Sequence, residues 1–131
     1  MSKSFTLLIT GSPTASQAHL SAQQFIHAIY QKGHTVDSVF FYGEASTVAN
    51  SLTLVAANEP RLMQQWQSLA QQFQFALISC ISAANKRGVV SQEEAELNGL
   101  TASNCADGFK IEGLGSLASS LAQSDQLVHF S

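Results

Sequence analysis

The sequence is short of charged residues. Its six basic and nine acidic side chains make up 11% of the 131 residues, whereas ordinary globular domains carry about 25%. A small domain with so few charges has little with which to cover its surface, so we expect part of that surface to be buried against other subunits. A neutral surface of Ser, Gln and Asn is the alternative. The net charge of −3 argues against a dedicated nucleic-acid-binding protein, because such proteins usually present a basic face.

Long apolar runs and cysteines are also scarce. No apolar run approaches the ~20 residues that cross a bilayer, so we expect no contact with a membrane. The first residues lead at once into a predicted core strand, and we therefore expect no signal peptide. Two cysteines, Cys80 and Cys105, are too few for a disulfide framework. These observations predict a cytoplasmic protein with both thiols reduced.

Short apolar runs alternate with amphipathic stretches along the whole chain. The apolar runs predict strands at residues 5–10, 35–41, 75–78, 109–112 and 127–130. The amphipathic stretches predict helices from about 16 to 33, 44 to 50, 59 to 73, 80 to 87, 91 to 99 and 114 to 121. Parallel strands need crossover connections, so this order predicts a single α/β domain over residues 1–131. We expect a three-layer sandwich of about five mostly parallel strands with helices on both faces.

Cys80 is the strongest candidate for chemistry. In open parallel sheets, reactive groups collect beyond the carboxyl ends of the strands, and Cys80 follows the third predicted strand at the start of a helix. Free backbone N–H groups and the helix dipole at such a position favour thiolate. Lys86 and Arg87 follow, but at ~1.5 Å per residue Lys86 would lie about 9 Å away, and cations are expected at a helix C-terminus anyway. The alternative is that Cys80 is a small buried hydrophobe.

The remaining candidates are weaker. Cys105 lies in a polar loop, where we expect it to be exposed and incidental. Residues 113–118 read Gly-Leu-Gly-Ser-Leu-Ala, which matches G-x-G-x-x-A without the rest of a dinucleotide-binding unit. We attribute these glycines to close packing of a helix on the sheet. The histidines show no metal-ligand spacing and are expected at surface and turn positions: His19, His27, His34 and His129.

Several segments resemble the DsrE/DsrF-like sulfurtransferases. The opening strand ends in Thr10-Gly11, and Gly33-His34 precedes the strand 39–42, as in that family. The stretch from Cys80 to Val90 is the most specific similarity, because the cysteine is followed by Ala-Ala, a basic pair and Gly-Val-Val. The tail from 103 to 130 is similar as well, so the resemblance covers essentially the whole chain.

The resemblance implies a role for one residue. In the family, the cysteine that matches Cys80 accepts a sulfane sulfur as a persulfide and passes it on without a cofactor or metal. The most similar member is a subunit of the bacterial sulfur relay, which sits with TusB- and TusC-like subunits in a dimer of heterotrimers. It takes sulfur from a TusA-like donor and gives it to a TusE-like acceptor, toward 2-thiolation of the wobble uridine of tRNA.

Other functions stay open at this point. A related branch of the family serves dissimilatory sulfur oxidation. A non-catalytic interaction subunit, with Cys80 merely packed in the core, is a second alternative. A flavodoxin-like or nucleotide-binding protein that uses the loops at Gly11 or Gly113 is a third. A persulfide carrier would need Cys80 near the surface, where a partner's cysteine can reach it.

Overall fold

Five strands form one parallel sheet in the computed structural model, which describes residues 1–131. Along the chain the strands are β1 (Ser4–Ile9), β2 (Thr35–Phe41), β3 (Ala76–Cys80), β4 (Phe109–Glu112) and β5 (Gln126–Phe130). Their order in the sheet is β4-β3-β2-β1-β5, and every neighbouring pair is parallel. The predicted α/β class is confirmed, and the sheet is parallel throughout.

Helices connect the strands. They are α1 (Ala18–Gln31), α2 (Leu62–Phe73), α3 (Ile81–Lys86), α4 (Gln92–Leu97) and α5 (Leu114–Gln123), with a 3₁₀ segment at Gly43–Ala49. The predicted helix ends are confirmed at two places. Gly33, with φ +84°, follows the end of α1, and the Ser91 hydroxyl accepts the Glu94 N–H at the start of α4. None of the helices combines the length and the apolar character that a bilayer span requires.

The main core lies between the sheet and the pair α1 and α2. Alternate strand residues point into it, since successive side chains of a strand face opposite sides of the sheet. The cluster is contiguous and includes five fully buried or nearly fully buried strand residues: Leu7, Ile9, Val39, Phe41 and Leu77. Ile26 of α1 and Trp66 of α2 pack against them with no exposed surface. Burial of this apolar surface is the main force that holds the layers together.

One histidine is part of this core. His19 is fully buried and its ring stacks on Phe41, with centroids 5.8 Å apart. Trp66 Nε1 donates to His19 Nδ1 at 3.1 Å, so Nε2 carries the hydrogen and donates to the Gly11 carbonyl at 2.9 Å. Burial lowers the pKa of His19, and the hydrogen bond to Gly11 opposes this more weakly. The expectation of a surface position is wrong for His19, because the core satisfies both ring nitrogens.

Helix α5 is attached to the other face of the sheet by hydroxyl groups. Ser120, the buried residue of α5, donates to Asp37 Oδ2 at 2.5 Å. Since a hydroxyl has one hydrogen, Ser120 Oγ must accept from Thr6 at 2.7 Å and from Ser38 at 2.6 Å. Thr6 in turn accepts from Ser124 at 2.7 Å. Every hydroxyl of this network is therefore satisfied, which is what a buried polar cluster requires.

Most of the apolar stripe of α5 does not face the sheet. The predicted helix is confirmed, yet Leu114 and Leu121 are 54% and 41% exposed, while Ser120 is buried. An i, i+3, i+4 spacing identifies a stripe along a helix but not the surface that covers it. Leu114 and Leu121 are therefore open to contact with another polypeptide, in agreement with the low charge content of the chain.

The glycines near α5 do not have the role that the sequence suggested. A Cβ built on Gly113 or Gly115 meets no atom within 4 Å, so close packing of helix on sheet is the wrong explanation for them. Close approach occurs instead at Gly11, in the loop between β1 and α1. There a Cβ would lie 2.5 Å from Ser16 Oγ and 2.7 Å from Ala18 Cβ, which leaves room for glycine alone.

Candidate functional site

Cys80 is the last residue of β3 and the N-cap residue of α3. It therefore keeps the alternation of the strand, and its side chain lies on the same face of the sheet as Ile78. Phe40 of β2 and Leu117 of α5 belong to the same small apolar cluster. The thiol thus sits at the carboxyl end of β3, as the sequence predicted, on the face that α5 covers.

Cys80 lies where the connections that follow two neighbouring strands, β3 and β4, leave toward opposite faces of the sheet. Cys80 pairs with Glu112, the last residue of β4. After β3 the chain enters α3, whose Ala84 joins the main core, whereas after β4 it enters α5 on the opposite face. Adjacent strands whose connections leave toward opposite faces open a crevice between them, and open parallel sheets bind their ligands in such crevices. Cys80 is the last residue of β3, at this switch between the two faces of the sheet.

The thiol is buried. Only 1% of Cys80 is exposed, and Phe40, Ile78 and Ala83 surround it in the small cluster. Its one hydrogen-bonding neighbour is Ser82, whose Oγ lies 3.4 Å from Cys80 Sγ. The expectation of a thiol at the surface is therefore not met. The physical reason is the strand boundary: a cysteine that is still part of β3 follows the pleat inward, whereas one in the loop beyond it would not.

The basic pair after α3 has a structural role. Arg87 Nε lies 3.2 Å from Glu44 Oε1 in the one ion pair of the structure, and Arg87 Nη1 donates to the Ala83 carbonyl at 3.1 Å. These contacts attach the end of α3 to the 3₁₀ segment. Lys86 is exposed, and neither cation contacts Cys80. The interpretation of the pair as ordinary cations at a helix C-terminus accounts for Arg87 fully.

Cys105 is half-buried rather than exposed. Its N–H donates to the Val90 carbonyl at 3.1 Å, and its residue forms an isolated bridge with Asn50, so the loop is held against the body of the protein. Burial raises the pKa of the Cys105 thiol, and the charge of Asp107 raises it further. A raised pKa leaves less thiolate at neutral pH, which fits the prediction that this cysteine is incidental.

Two neighbours of Cys80 were not found from the sequence. Glu112 lies beside Cys80 through strand pairing, and its Oε1 accepts a hydrogen bond from Ser116 Oγ at 2.6 Å. Leu117 packs against the cluster from α5. Strand register and the direction of α5 bring these residues together, and neither is visible in one sequence. No group of three or more His, Cys, Asp or Glu side chains could hold a metal ion.

Comparison with known proteins identifies the family of the chain. The sequence model of the DsrE/DsrF-like family matches residues 3–130. The chain is 46% identical over 126 residues to the sulfurtransferase TusD homolog of Vibrio vulnificus strain CMCP6, covering 96% of each chain. It is 44% identical over 126 residues to sulfurtransferase TusD of Serratia proteamaculans strain 568, covering 96% of this chain and 98% of the relative.

A solved structure shares the fold. The crystal structure of the YchN protein from E. coli matches with a TM-score of 0.71 and 17% sequence identity. The match covers 98% of this chain and 99% of YchN. At this identity the likeness shows the fold alone.

Proposed function

Because the chain belongs to the DsrE/DsrF-like family, we propose that it is a sulfurtransferase of a sulfur relay and that Cys80 carries the sulfur. Relatives named sulfurtransferase, at 46% and 44% identity over nearly the whole chain, support the activity. The observation that carries the assignment to Cys80 is its place at the carboxyl end of β3, beside β4, where the connections after the two strands leave toward opposite faces of the sheet. Cys105, with its raised pKa, is the less suitable thiol.

The proposed reaction is an exchange between two cysteines. Cys80 loses its proton, and the thiolate attacks the outer sulfur of a persulfide on a donor protein. The S–S bond of the donor breaks as the new S–S bond forms on Cys80. The donor cysteine leaves as a thiolate and takes up the proton, so there is no net oxidation. The same step, repeated with an acceptor cysteine as nucleophile, returns Cys80 to the thiol.

One hydrogen-bonding group lies beside the sulfur of Cys80. Ser82 Oγ, at 3.4 Å from Sγ, is a hydroxyl that can donate a hydrogen bond to a thiolate or to the outer sulfur of a persulfide. Hydrogen bonds of this kind are stronger than those between neutral groups. The apolar walls formed by Phe40 and Ile78 keep water away from the persulfide and so protect it from side reactions.

The partners follow from the same resemblance. We propose that this subunit assembles with TusB- and TusC-like subunits in a dimer of heterotrimers in the cytoplasm. It receives sulfur from a TusA-like donor and delivers it to a TusE-like acceptor, toward 2-thiolation of tRNA, without binding nucleic acid or membrane itself. The low charge content and three strongly exposed leucines support a subunit with broad protein contacts: Leu52, Leu54 and Leu97.

Intact-mass analysis tests the proposal. After incubation with a persulfide donor, the protein should gain about 32 Da per bound sulfur, and Cys80→Ser should abolish the gain while Cys105→Ser retains it. The two variants form a matched pair, because each removes one thiol and leaves a hydroxyl. A gain that survives in Cys80→Ser would refute the role of Cys80. Undiminished sulfur transfer by that variant would favour a non-catalytic interaction subunit.

A further inference from the structure

We propose that the first turn of α5 is a gate over Cys80, held closed by the hydrogen bond between Ser116 and Glu112. This inference rests on the proposed function and describes how access to the same site is controlled. A donor or acceptor cysteine has to reach bonding distance of Cys80 Sγ, yet Cys80 is 1% exposed. Some element over the thiol must therefore move, and the attachments of α5 identify the element.

The two halves of α5 are attached to the sheet in different ways. The second half is held by Ser120 and Ser124, through the network of hydroxyls that includes Thr6 and Ser38. The first half has one side-chain hydrogen bond, from Ser116 Oγ to Glu112 Oε1 at 2.6 Å. This end of the helix has fewer side-chain hydrogen bonds to the sheet than the other end and joins β4 through Gly113 alone, so it would open by bending at that glycine.

The first half of α5 also packs against the cluster that contains the thiol. Leu117 is the α5 residue that packs against the cluster of Phe40, Ile78, Cys80 and Ala83. The Ser116 hydrogen bond ends on Glu112, which pairs with Cys80, so the closing contact is formed directly beside the thiol. A tilt of α5 about Ser120, with Gly113 as the hinge to β4, would lift Leu117 from the cluster that contains Cys80.

Two glycines make this turn easy to open. Gly113 is the N-cap of α5 and Gly115 lies in its first turn. No packing demands either of them, since an added Cβ would meet no atom within 4 Å. Glycine weakens a helix more than any residue except proline. The turn next to Cys80 is thus the part of α5 with the lowest helix stability, which is expected of a segment that moves.

The gate is tested by the rate at which iodoacetamide alkylates Cys80 in the full chain carrying Cys105→Ser. Ser116→Ala should raise the rate about three- to tenfold, as expected for the loss of one part-buried hydrogen bond of ordinary strength. Leu117→Ala should raise it at least as much. Gly115→Ala should lower it about three- to fivefold, because alanine favours the closed helical turn.

Matched controls come from the same helix. Ser119→Ala and Leu121→Ala change exposed residues and should leave the alkylation rate within about twofold of the parent. Low concentrations of urea separate gate opening from global unfolding, since unfolding of the whole domain responds steeply to urea and a local opening hardly responds. The parent rate should be nearly independent of urea below the unfolding transition.

Three results would overturn the gate. They are an unchanged rate in Ser116→Ala, an equal acceleration in Leu121→Ala and Leu117→Ala, and a parent rate that follows urea as steeply as global unfolding does. The assay needs no sulfur donor. Failure of the gate therefore leaves the sulfur-carrying role of Cys80 standing, and failure of sulfur loading leaves the alkylation result standing.

Discussion

Replacing Ser120 with alanine should cost more stability than any other single serine substitution in α5. The Ser120 hydroxyl contacts Thr6, Ser38 and Asp37 at 2.7, 2.6 and 2.5 Å, and the first two partners are almost fully buried. The change therefore removes three hydrogen bonds at once. It also leaves the hydroxyls of Thr6 and Ser38 without their acceptor inside the protein.

The expected magnitude follows from these contacts. A hydrogen bond to a charged group contributes about 1.5–3 kcal/mol and a neutral one about 0.5–1.5 kcal/mol. The Thr6 and Ser38 hydroxyls can turn toward other acceptors, so we expect a total loss of about 2–4 kcal/mol. For a domain of this length, 1 kcal/mol corresponds to about 3–4 °C. The melting temperature should thus fall by about 6–16 °C.

Urea denaturation of Ser120→Ala measures the loss directly, with exposed Ser119→Ala as the control in the same helix. The midpoint should fall in Ser120→Ala while the slope of the transition stays constant, and the control should stay within about 0.5 kcal/mol of the parent. A loss below about 0.5 kcal/mol in Ser120→Ala would refute the view that hydroxyls attach α5 to the sheet.

Three further outcomes are expected. The lowered pKa of His19 keeps its imidazole neutral in the folded state, so its contribution to stability is fully present above the unfolded pKa near 6.5 and is lost as pH falls through the folded pKa. Urea denaturation at pH values from about 7.5 to about 5 should show this loss of stability. A His19→Gln variant whose stability keeps the full dependence on pH would contradict it. Gly11→Ala should lower the melting temperature strongly, because the added Cβ would lie 2.5 Å from Ser16 Oγ. Gly115→Ala should not, because the added Cβ would meet no atom within 4 Å. Equal changes in melting temperature for the two variants would refute this comparison. Cys105→Ser should leave the rate of sulfur transfer almost unchanged, and a large loss would mean that Cys105 takes part in the relay.

Much of the fold could be predicted from the sequence because its elements carry strong local signals. The β-branched and aromatic run at 35–41 predicted the first and last residues of β2 correctly, and the run at 109–112 predicted the first and last residues of β4. Gly33 and Ser91 marked helix ends through the backbone freedom of glycine and the capping hydroxyl of serine. Such signals act over a few residues and do not depend on distant parts of the chain.

The environment of each candidate residue was harder to predict, because it depends on contacts between distant segments. The strand boundary at Cys80 decides whether its thiol follows the pleat inward, and periodicity does not locate a boundary to one residue. The burial of His19 depends on Trp66 and Gly11, which supply partners for both ring nitrogens. The spacing of the leucines predicted an apolar stripe along α5. The side of the helix that faces the sheet is set instead by Ser120 and Ser124, which bond to Thr6 and Ser38.

The most direct test of the account is to locate the sulfur. Trypsin cleaves after Arg61, Lys86, Arg87 and Lys110, so Cys80 falls in the peptide 62–86 and Cys105 in the peptide 88–110. The protein is loaded with a persulfide donor, and its thiols are then capped without reductant. We expect an added mass of about 32 Da on peptide 62–86 and none on peptide 88–110. Added sulfur on 88–110 alone, or on neither peptide, would contradict it.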